Sequence, residues 1–311
     1  MSGKKPADWD QPSDWAPTVT AILPCYNAEA FVSDTLKSLA AQTWPKLEIL
    51  IGDDASVDET LAIVKAFAKG RDNARIIERK QNLGWLANTN DLMAKASGEL
   101  MFCMGHDDLV APTYVERLVE ALHRNPRAVL AYSDLELFEV DGTRSLVVFD
   151  NLSGVQRPLA RGYRMASRIP YGIMDSKDPG WWVPGCGLFR TEAFYRIGGF
   201  KRHDKGEFIA DWPWLLHMAI LGEFKRVPEP LFQKIYKKTS LSQNWKRGKD
   251  AQMAVVRSAI REIRQSDLGP FSKVALIAHL KHPRKPTGFL RRLLQLPKKL
   301  AKRLLDQLSP I

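Results

Sequence analysis

Four short apolar runs punctuate the first hundred residues, at 19–23, 47–52, 74–78 and 100–104. All but 74–78, where Arg75 and Glu78 flank Ile76-Ile77 in a short strand, are nearly continuously apolar rather than alternating, as strands buried on both faces of a parallel sheet are. Helical periods fill the gaps between them. Val32, Leu36 and Leu39 recur on one helical face that ends near Gln42, with Asn27 as a good N-cap. Ser56 and Glu59 have the spacing of a capping box and open a helix to about Ala68. Asn82-Leu83-Gly84 is a turn into a helix that reaches about Ala96 and is closed by Gly98. Strands and helices alternating at this period imply a parallel sheet with helices on both faces.

Beyond a helix over 112–124 the pattern changes. Residues 129–133 read as a strand, and 135–140 with 145–148 as a hairpin around Asp141-Gly142. The stretch 150–180 has no period, and a loop of that length in a compact domain is usually functional or mobile. A helix from about Thr191 to Ile197, another over 212–221 closed by Gly222, and strands near 224–227 and 231–236 complete the core. Helices over 250–264 and 288–308 follow. These divide the chain into a polar arm at 1–17, an α/β domain at 18–245 whose halves meet near residue 110, and a helical basic extension at 246–311.

Charge sharpens the last of these. The net charge is +11, but from Phe271 onward there are ten Lys or Arg and one acid, Asp306, so the rest of the chain is nearly neutral. In 288–308, eight leucines are set among Arg291, Arg292, Lys298, Lys299, Lys302 and Arg303, with Pro297 as a kink. That is the pattern of a helix lying in an anionic membrane interface, or of a packed, solvated terminal helix. No nucleic-acid motif accompanies the basic residues, which argues against a nucleic-acid partner. The three cysteines form no CxxC pair, which argues against a zinc site or disulfide framework. The arm lacks the apolar centre of a signal peptide, and no run reaches the ~18 apolar residues of a membrane span.

The chemistry lies where strands end. The runs 47–52 and 100–104 are each followed by an acidic pair, Asp53-Asp54 and Asp107-Asp108. Ligands of open α/β sheets bind outside the carboxyl ends of the strands. Two acidic pairs at one edge suit a nucleoside diphosphate, one set accepting hydrogen bonds from base or ribose and the other holding a hard divalent cation. There is no G-x-G-x-x-G after the first strand and no G-x-x-x-x-G-K-[ST].

The ordered blocks Ile22-Leu23-Pro24-Cys25-Tyr26-Asn27-Ala28-Glu29, Asp53-Asp54-Ala55-Ser56-Val57-Asp58, Asn82-Leu83-Gly84, Ser97-Gly98-Glu99 and His106-Asp107-Asp108 resemble those of the family 2 inverting glycosyltransferases. Gly185…Leu188-Phe189-Arg190 and Ile197-Gly198-Gly199-Phe200 continue the likeness, which covers about 18–242. It implies a GT-A fold, a mixed and mostly parallel sheet flanked by helices, and a nucleotide-diphosphate sugar as donor, a UDP-sugar foremost. It implies that Tyr26 stacks on the nucleobase, with Pro24 and Asn27 beside it. Asp54 would bond the base and Asp53 support its loop, while Asn82 and Gly84 shape the nucleotide side. Asp107 and Asp108 would contact ribose and coordinate Mg²⁺ or Mn²⁺. Asp211 would be the general base, its other reading being an N-cap of the 212–221 helix.

The likeness departs at Gly105, where the family often has a further acid, at Ala210, where a Glu usually precedes the base, and at Thr89, where Arg is frequent. His106 is read as a hydrogen-bonding neighbour of the loop rather than a ligand. Lys237 and Lys238 could meet the diphosphate or be a solvated pair. Trp181, Trp182, Trp212 and Trp214 could stack on acceptor sugars or pack in the core. No Gln-x-x-Arg-Trp follows, so one sugar is expected per event. The implied acceptor is a glycan or lipid-linked saccharide in cell-surface polysaccharide or glycolipid synthesis, at the cytoplasmic face of a membrane. Two rivals remain. A sugar-nucleotide nucleotidyltransferase needs a Gly-rich phosphate loop, which Pro24-Cys25-Tyr26-Asn27 is not. A non-catalytic, nucleotide-sugar-binding relative is suggested only by Gly105 and Ala210.

Overall fold

The computed structural model of the chain describes residues 14–139, 141–150, 152, 154–167, 169, 183–207, 209–236 and 248–281. Nine strands form one mixed sheet. They are β1 (Val19–Cys25), β2 (Leu47–Asp53), β3 (Ala74–Glu78), β4 (Leu100–Cys103), β5 (Leu109–Val110), β6 (Ala128–Phe138), β7 (Arg144–Val147), β8 (Leu188–Arg190) and β9 (Glu223–Ile235). The order is β3-β2-β1-β4-β8-β6-β9-β5, with β7 beside β6. β1 is buried along its whole length and pairs in parallel with both β2 and β4. Its continuous apolar character follows from that position, since helices cover both faces of a central parallel strand. The helices are α1 (Val32–Ala40), α2 (Thr60–Ala68), α3 (Trp85–Lys95), α4 (Tyr114–His123), α5 (Pro158–Ala166), α6 (Thr191–Ile197), α7 (Asp211–Leu221), α8 (Lys249–Gln265) and α9 (Pro270–Lys281).

The parallel half of the sheet is as the apolar runs predict. The second half is less regular than they suggest, because β8 enters antiparallel between β4 and β6. The two strands expected at 129–133 and 135–140 are one strand, β6, and those near 224–227 and 231–236 are one strand, β9. The polar Ser133-Asp134 interrupts the apolar run but not the strand. The buried Asp134 carboxylate accepts two hydrogen bonds from Arg226 of β9, at 2.7 and 2.8 Å. The β6–β9 register shifts at that point, which turns both side chains toward one another.

Both predicted N-caps are corrected. α1 begins at Val32 and α2 at Thr60, and neither has a side-chain cap. Asn27 and Ser56 lie ahead of those helices and bind each other's loops instead. α9 has no strong helical period and is not foreseen by the pattern. Of the stretch read as a basic extension, α8 packs on α7 and α9 packs on α5 and α8. Val255, Ala259, Ile263 and Leu276 are fully buried in the same core as the sheet. The basic segment at 288–308 lies outside the described residues. Among the described residues no helix is long and apolar enough to cross a membrane.

Asp134→Ala leaves the Arg226 guanidinium partly buried without its bidentate partner. The expected loss is about 3 kcal/mol of unfolding free energy, read from the midpoint of a urea titration followed by circular dichroism.

Candidate active site

Three loops leave the C-terminal edge of β1, β2 and β4, and their polar residues fasten them together. The chain after β1 turns at Asn27, which takes a left-handed φ of 46°. The Asn27 N–H donates to Ser56 Oγ (3.1 Å), and Asn27 Oδ1 accepts from the Val57 N–H (3.0 Å). Ala28 N–H donates to Thr60 Oγ1 (2.6 Å), Glu29 N–H to Asp58 Oδ2 (3.1 Å), and Glu59 N–H to Glu29 Oε2 (3.0 Å). Five cross-loop bonds therefore consume the residues that sequence spacing assigns to helix caps. Pro24 is a buried residue of β1, paired with Gly52. Tyr26, by contrast, is 44% exposed, and Val57 and Leu83 are exposed as well. The braced loops thus present apolar side chains to solvent, where a planar base can stack.

The first acidic pair faces inward. Asp54 is 2% exposed, and its two oxygens accept from the backbone N–H groups of Leu83 (2.8 Å) and Gly84 (2.9 Å). Asn82 Nδ2 returns a bond to the Asp54 carbonyl (3.2 Å). In this arrangement Asp54 shapes the nucleotide-side loop, and both its oxygens are already engaged by that loop. Asp53 Oδ2 accepts from the Ser56 N–H (3.2 Å), while its buried Oδ1 has no partner. Gly84, at φ 86°, completes the turn, and Glu207 closes over it: Glu207 Oε2 accepts from the Leu86 N–H (3.2 Å) at the start of α3. Nothing in the sequence singles Glu207 out, because its role depends on a fold that returns residue 207 to residue 86. The Gly198-Gly199-Phe200 block is explained by the same helix. Asn90 of α3 bonds both the N–H and the carbonyl of Phe200, and a Cβ on Gly199 would stand 2.2 Å from Asn90 Oδ1.

The second acidic pair sits on a turn closed by Thr35 of α1, whose hydroxyl lies 2.9 Å from the carbonyls of both His106 and Asp108. Asp108 is 1% exposed. β5 begins one residue later and pairs antiparallel with β9, Leu109 opposite Gln233. That register delivers Lys234 to Asp108, with Nζ 3.1 Å from Oδ2. The Gly105 N–H also donates to Oδ2 (3.2 Å), and the Ile235 N–H approaches Oδ1 (3.4 Å). Burial works against the Lys234 charge, but Asp108, the neighbouring Cys186 and Asp107 outweigh it and hold the ammonium protonated. The sequence does not single out Lys234; Lys237 and Lys238, expected to meet the diphosphate or to be a solvated pair, lie outside the described residues. Among the described residues no three His, Cys, Asp or Glu side chains gather as a metal centre. Gly105 cannot add a third acid without moving the loop, since a Cβ there would lie 2.7 Å from Asp107 Oδ1 and 2.9 Å from Asp108 Oδ2. The acid loop thus offers two carboxylates, one of them, Asp108, already paired with an ammonium.

Asp211 heads α7 as its first helical residue, one position past the cap, Ala210, and so is not the N-cap of that helix. Ile209 turns the chain there with a φ of 60°, a costly conformation for a β-branched residue. A Cβ on Gly185 would stand 3.5 Å from Asp211 Oδ2, which shows how closely the turn at Val183–Cys186 covers the carboxyl. Burial pushes Asp211 up to about 6, and the N–H groups at the head of α7 and the Lys234 ammonium only partly offset this. Cys186 and Cys103 share the neighbourhood; burial raises both thiols, Cys186 to about 12. The buried Tyr114 hydroxyl fixes the Cys186 carbonyl. α7 itself is pinned along its C-terminal half. Arg161 of α5 donates to the carbonyls of Ala219 and Ile220, and His217 bonds Glu262 of α8 (2.7 Å), which also holds Lys201. Trp214 is core, edge-on to Phe189 and Phe200 with Nε1 on the Gly198 carbonyl; Trp212 is buried too. Trp181 and Trp182 lie outside the described residues.

A mixed sheet of this order, with acidic loops at the carboxyl ends of β2 and β4 and a carboxylate at the head of a following helix, is the architecture of the GT-A glycosyltransferases. Staphylococcus aureus TarS in complex with UDP-GlcNAc superposes with a TM-score of 0.63 over 93% of this chain and 79% of that one, at 18% identity. PcManGT, a mannosyltransferase from Pyrobaculum calidifontis in complex with GDP-Man and Mn²⁺, superposes with a TM-score of 0.54 over 98% and 77%, at 20% identity. At those identities the likeness is one of fold. Residues 20–165 match the family described as glycosyl transferase family 2. TuaG of Bacillus subtilis (strain 168), named as a teichuronic acid biosynthesis glycosyltransferase, is 28% identical over 131 residues, 42% of this chain and 52% of that one. The chain spans 38% to 60% of the length of the first curated relatives it matches.

Asp54→Ala removes the acceptor of two part-buried backbone N–H groups. The expected cost is about 2 kcal/mol of stability, accompanied by faster amide hydrogen exchange at Leu83 and Gly84 than at the centre of β1.

Proposed function

We propose that this chain is an inverting, non-processive glycosyltransferase that moves one sugar from a nucleoside-diphosphate donor, a UDP-sugar foremost, to a hydroxyl of a glycan or lipid-linked saccharide. The observation that carries the reading is Asp211, a carboxyl with its pKa raised to about 6 by burial, in the same neighbourhood as the Asp108–Lys234 pair. An acceptor hydroxyl is a poor nucleophile at neutral pH and needs a positioned base. Asp211 takes the hydroxyl proton as the oxygen attacks the anomeric carbon from the face opposite the diphosphate. The bond from that carbon to the β-phosphate oxygen breaks, and its electrons leave with the nucleoside diphosphate. Tyr26 stacks on the base. Asn82 and Gly84, held by Asp54, form the wall of the nucleotide loop, and Asp107 faces the ribose. The sugar nucleotides in the TarS and PcManGT complexes support the donor class, and the name of TuaG supports a cell-surface polysaccharide as the setting.

The chain is further proposed to work at the cytoplasmic face of a membrane, held there by the basic segment at 288–308. Each Lys or Arg near an anionic leaflet contributes about 1 kcal/mol. The full chain is expected to cosediment with phosphatidylglycerol vesicles at low salt and to be released by high salt. A chain lacking 288–311 is expected to stay in the supernatant.

A donor screen with water as acceptor tests the chemistry. Asp211→Asn is expected to lower kcat by about 10²- to 10⁴-fold with little change in nucleotide affinity. Below its pKa the base carries a proton and cannot accept another. In the wild type, log kcat/KM is therefore expected to rise with unit slope up to about pH 6 and level off above it. Nucleotide binding without turnover of any donor would sink the enzymatic reading and leave a binding protein.

A further inference from the structure

Family likeness puts a divalent ion between the acid loop and the diphosphate, and the residues present point elsewhere. The Asp108 carboxylate already receives the Gly105 N–H, the Ile235 N–H and the Lys234 ammonium, and its side chain is 2% exposed. A metal bonded to it would have to displace that ammonium, whose backbone the Leu109–Gln233 and Val110–Phe232 pairs hold opposite Asp108. An ion beside the ammonium would instead meet a like charge at close range, in a site screened little by water. Gly105 removes the acid that could have compensated.

Lys234 is also built as a ligand-facing charge. Its ammonium has three N–H donors, and the two Asp108 oxygens lie at 3.1 and 3.5 Å, which leaves a donor over. The side chain retains 26% exposure, unlike that of Asp108. Its charge is felt by Asp107 and Cys186 and also by Asp211, so it lies in the neighbourhood of both the acid loop and the carboxyl at the head of α7.

We propose that Lys234 is the cation that binds the donor's diphosphate, and that the transfer needs no divalent metal. When the bond from the anomeric carbon to the β-phosphate oxygen breaks, the negative charge that develops on that oxygen is met by the Lys234 ammonium. The ammonium keeps its protons throughout, and the acceptor's proton goes to Asp211. This rests on the nucleotide-sugar reading of the site.

Calorimetric titration of the full chain with UDP, GDP and their nucleosides, in EDTA and then in MnCl₂, tests it. The diphosphate that binds is expected to do so equally in both buffers. Lys234→Gln is expected to weaken it about 10- to 100-fold, the worth of one charge-assisted hydrogen bond, while leaving the nucleoside's affinity unchanged. Lys234→Arg, which keeps the charge, is expected to retain most of the affinity, and wild-type donor hydrolysis is expected to persist in EDTA, a measurement that needs no variant. Diphosphate binding or hydrolysis that vanishes in EDTA and returns with Mn²⁺ would overturn the proposal, as would a folded Lys234→Gln variant that binds as the wild type does. If no nucleoside diphosphate binds in either buffer, the nucleotide-sugar reading itself fails, and this proposal fails with it.

Discussion

The site depends on one register, that of the two-residue strand β5 against β9. Leu109 opposite Gln233 leaves Asp108 opposite Lys234, and so brings a buried carboxylate and an ammonium from residues 126 positions apart into one ion pair. A slip of a single residue would turn every side chain of that part of β9 to the other face. It would also leave Asp108 as an unpaired buried charge, which is strongly disfavoured. The pairing of the acid loop with the last strand is therefore specified by electrostatics as much as by the two backbone pairs. It also ties the loop that follows β4 to the last strand of the sheet.

The other loops are held by the same means. Asn27, Ser56, Asp58 and Thr60 spend their side chains on the backbone of a neighbouring loop, and Asp54 spends its carboxylate on the N–H groups of residues 83 and 84. Polar residues at strand ends can satisfy their own helix or another loop, and here they choose the latter. The cost is an uncapped α1 and α2; the gain is a rigid rim around an exposed tyrosine. Rigidity at a rim of this kind matters because a ligand then need not order it on binding.

That choice also explains what the sequence makes legible. The four apolar runs and the two acidic pairs are local patterns, and the sheet puts them where strand-end logic expects. Asp211 is legible from order and likeness, though not its burial, which arises from the turn at Val183–Cys186 covering it. The misreadings share one cause. Asn27 and Ser56 have the spacing of caps, and Ser133-Asp134 has the look of a break. In each case a tertiary partner, a loop or Arg226, overrides the local rule. Lys234 was invisible for a related reason: in a strand it reads as an outward polar residue of an edge, and only β5, too short to show a pattern, gives it an inward partner. Glu207 is the same case at the other end of the site.

The grouping of charges around Asp211 has a chemical consequence. Burial disfavours every charged form there, so it acts in opposite senses on the groups it encloses. It lifts the thiols of Cys103 and Cys186 far above neutrality, so neither is a nucleophile or a base. It lifts the Tyr114 hydroxyl likewise and leaves it a donor to the Cys186 carbonyl. It lifts Asp211 only to about 6, because the head of α7 and Lys234 hold it back. Without that ammonium the carboxyl would rise further. Lys234 thus bears on two carboxylates at once, pairing with Asp108 and lowering the pKa of Asp211, and the weak screening of a desolvated site strengthens both effects.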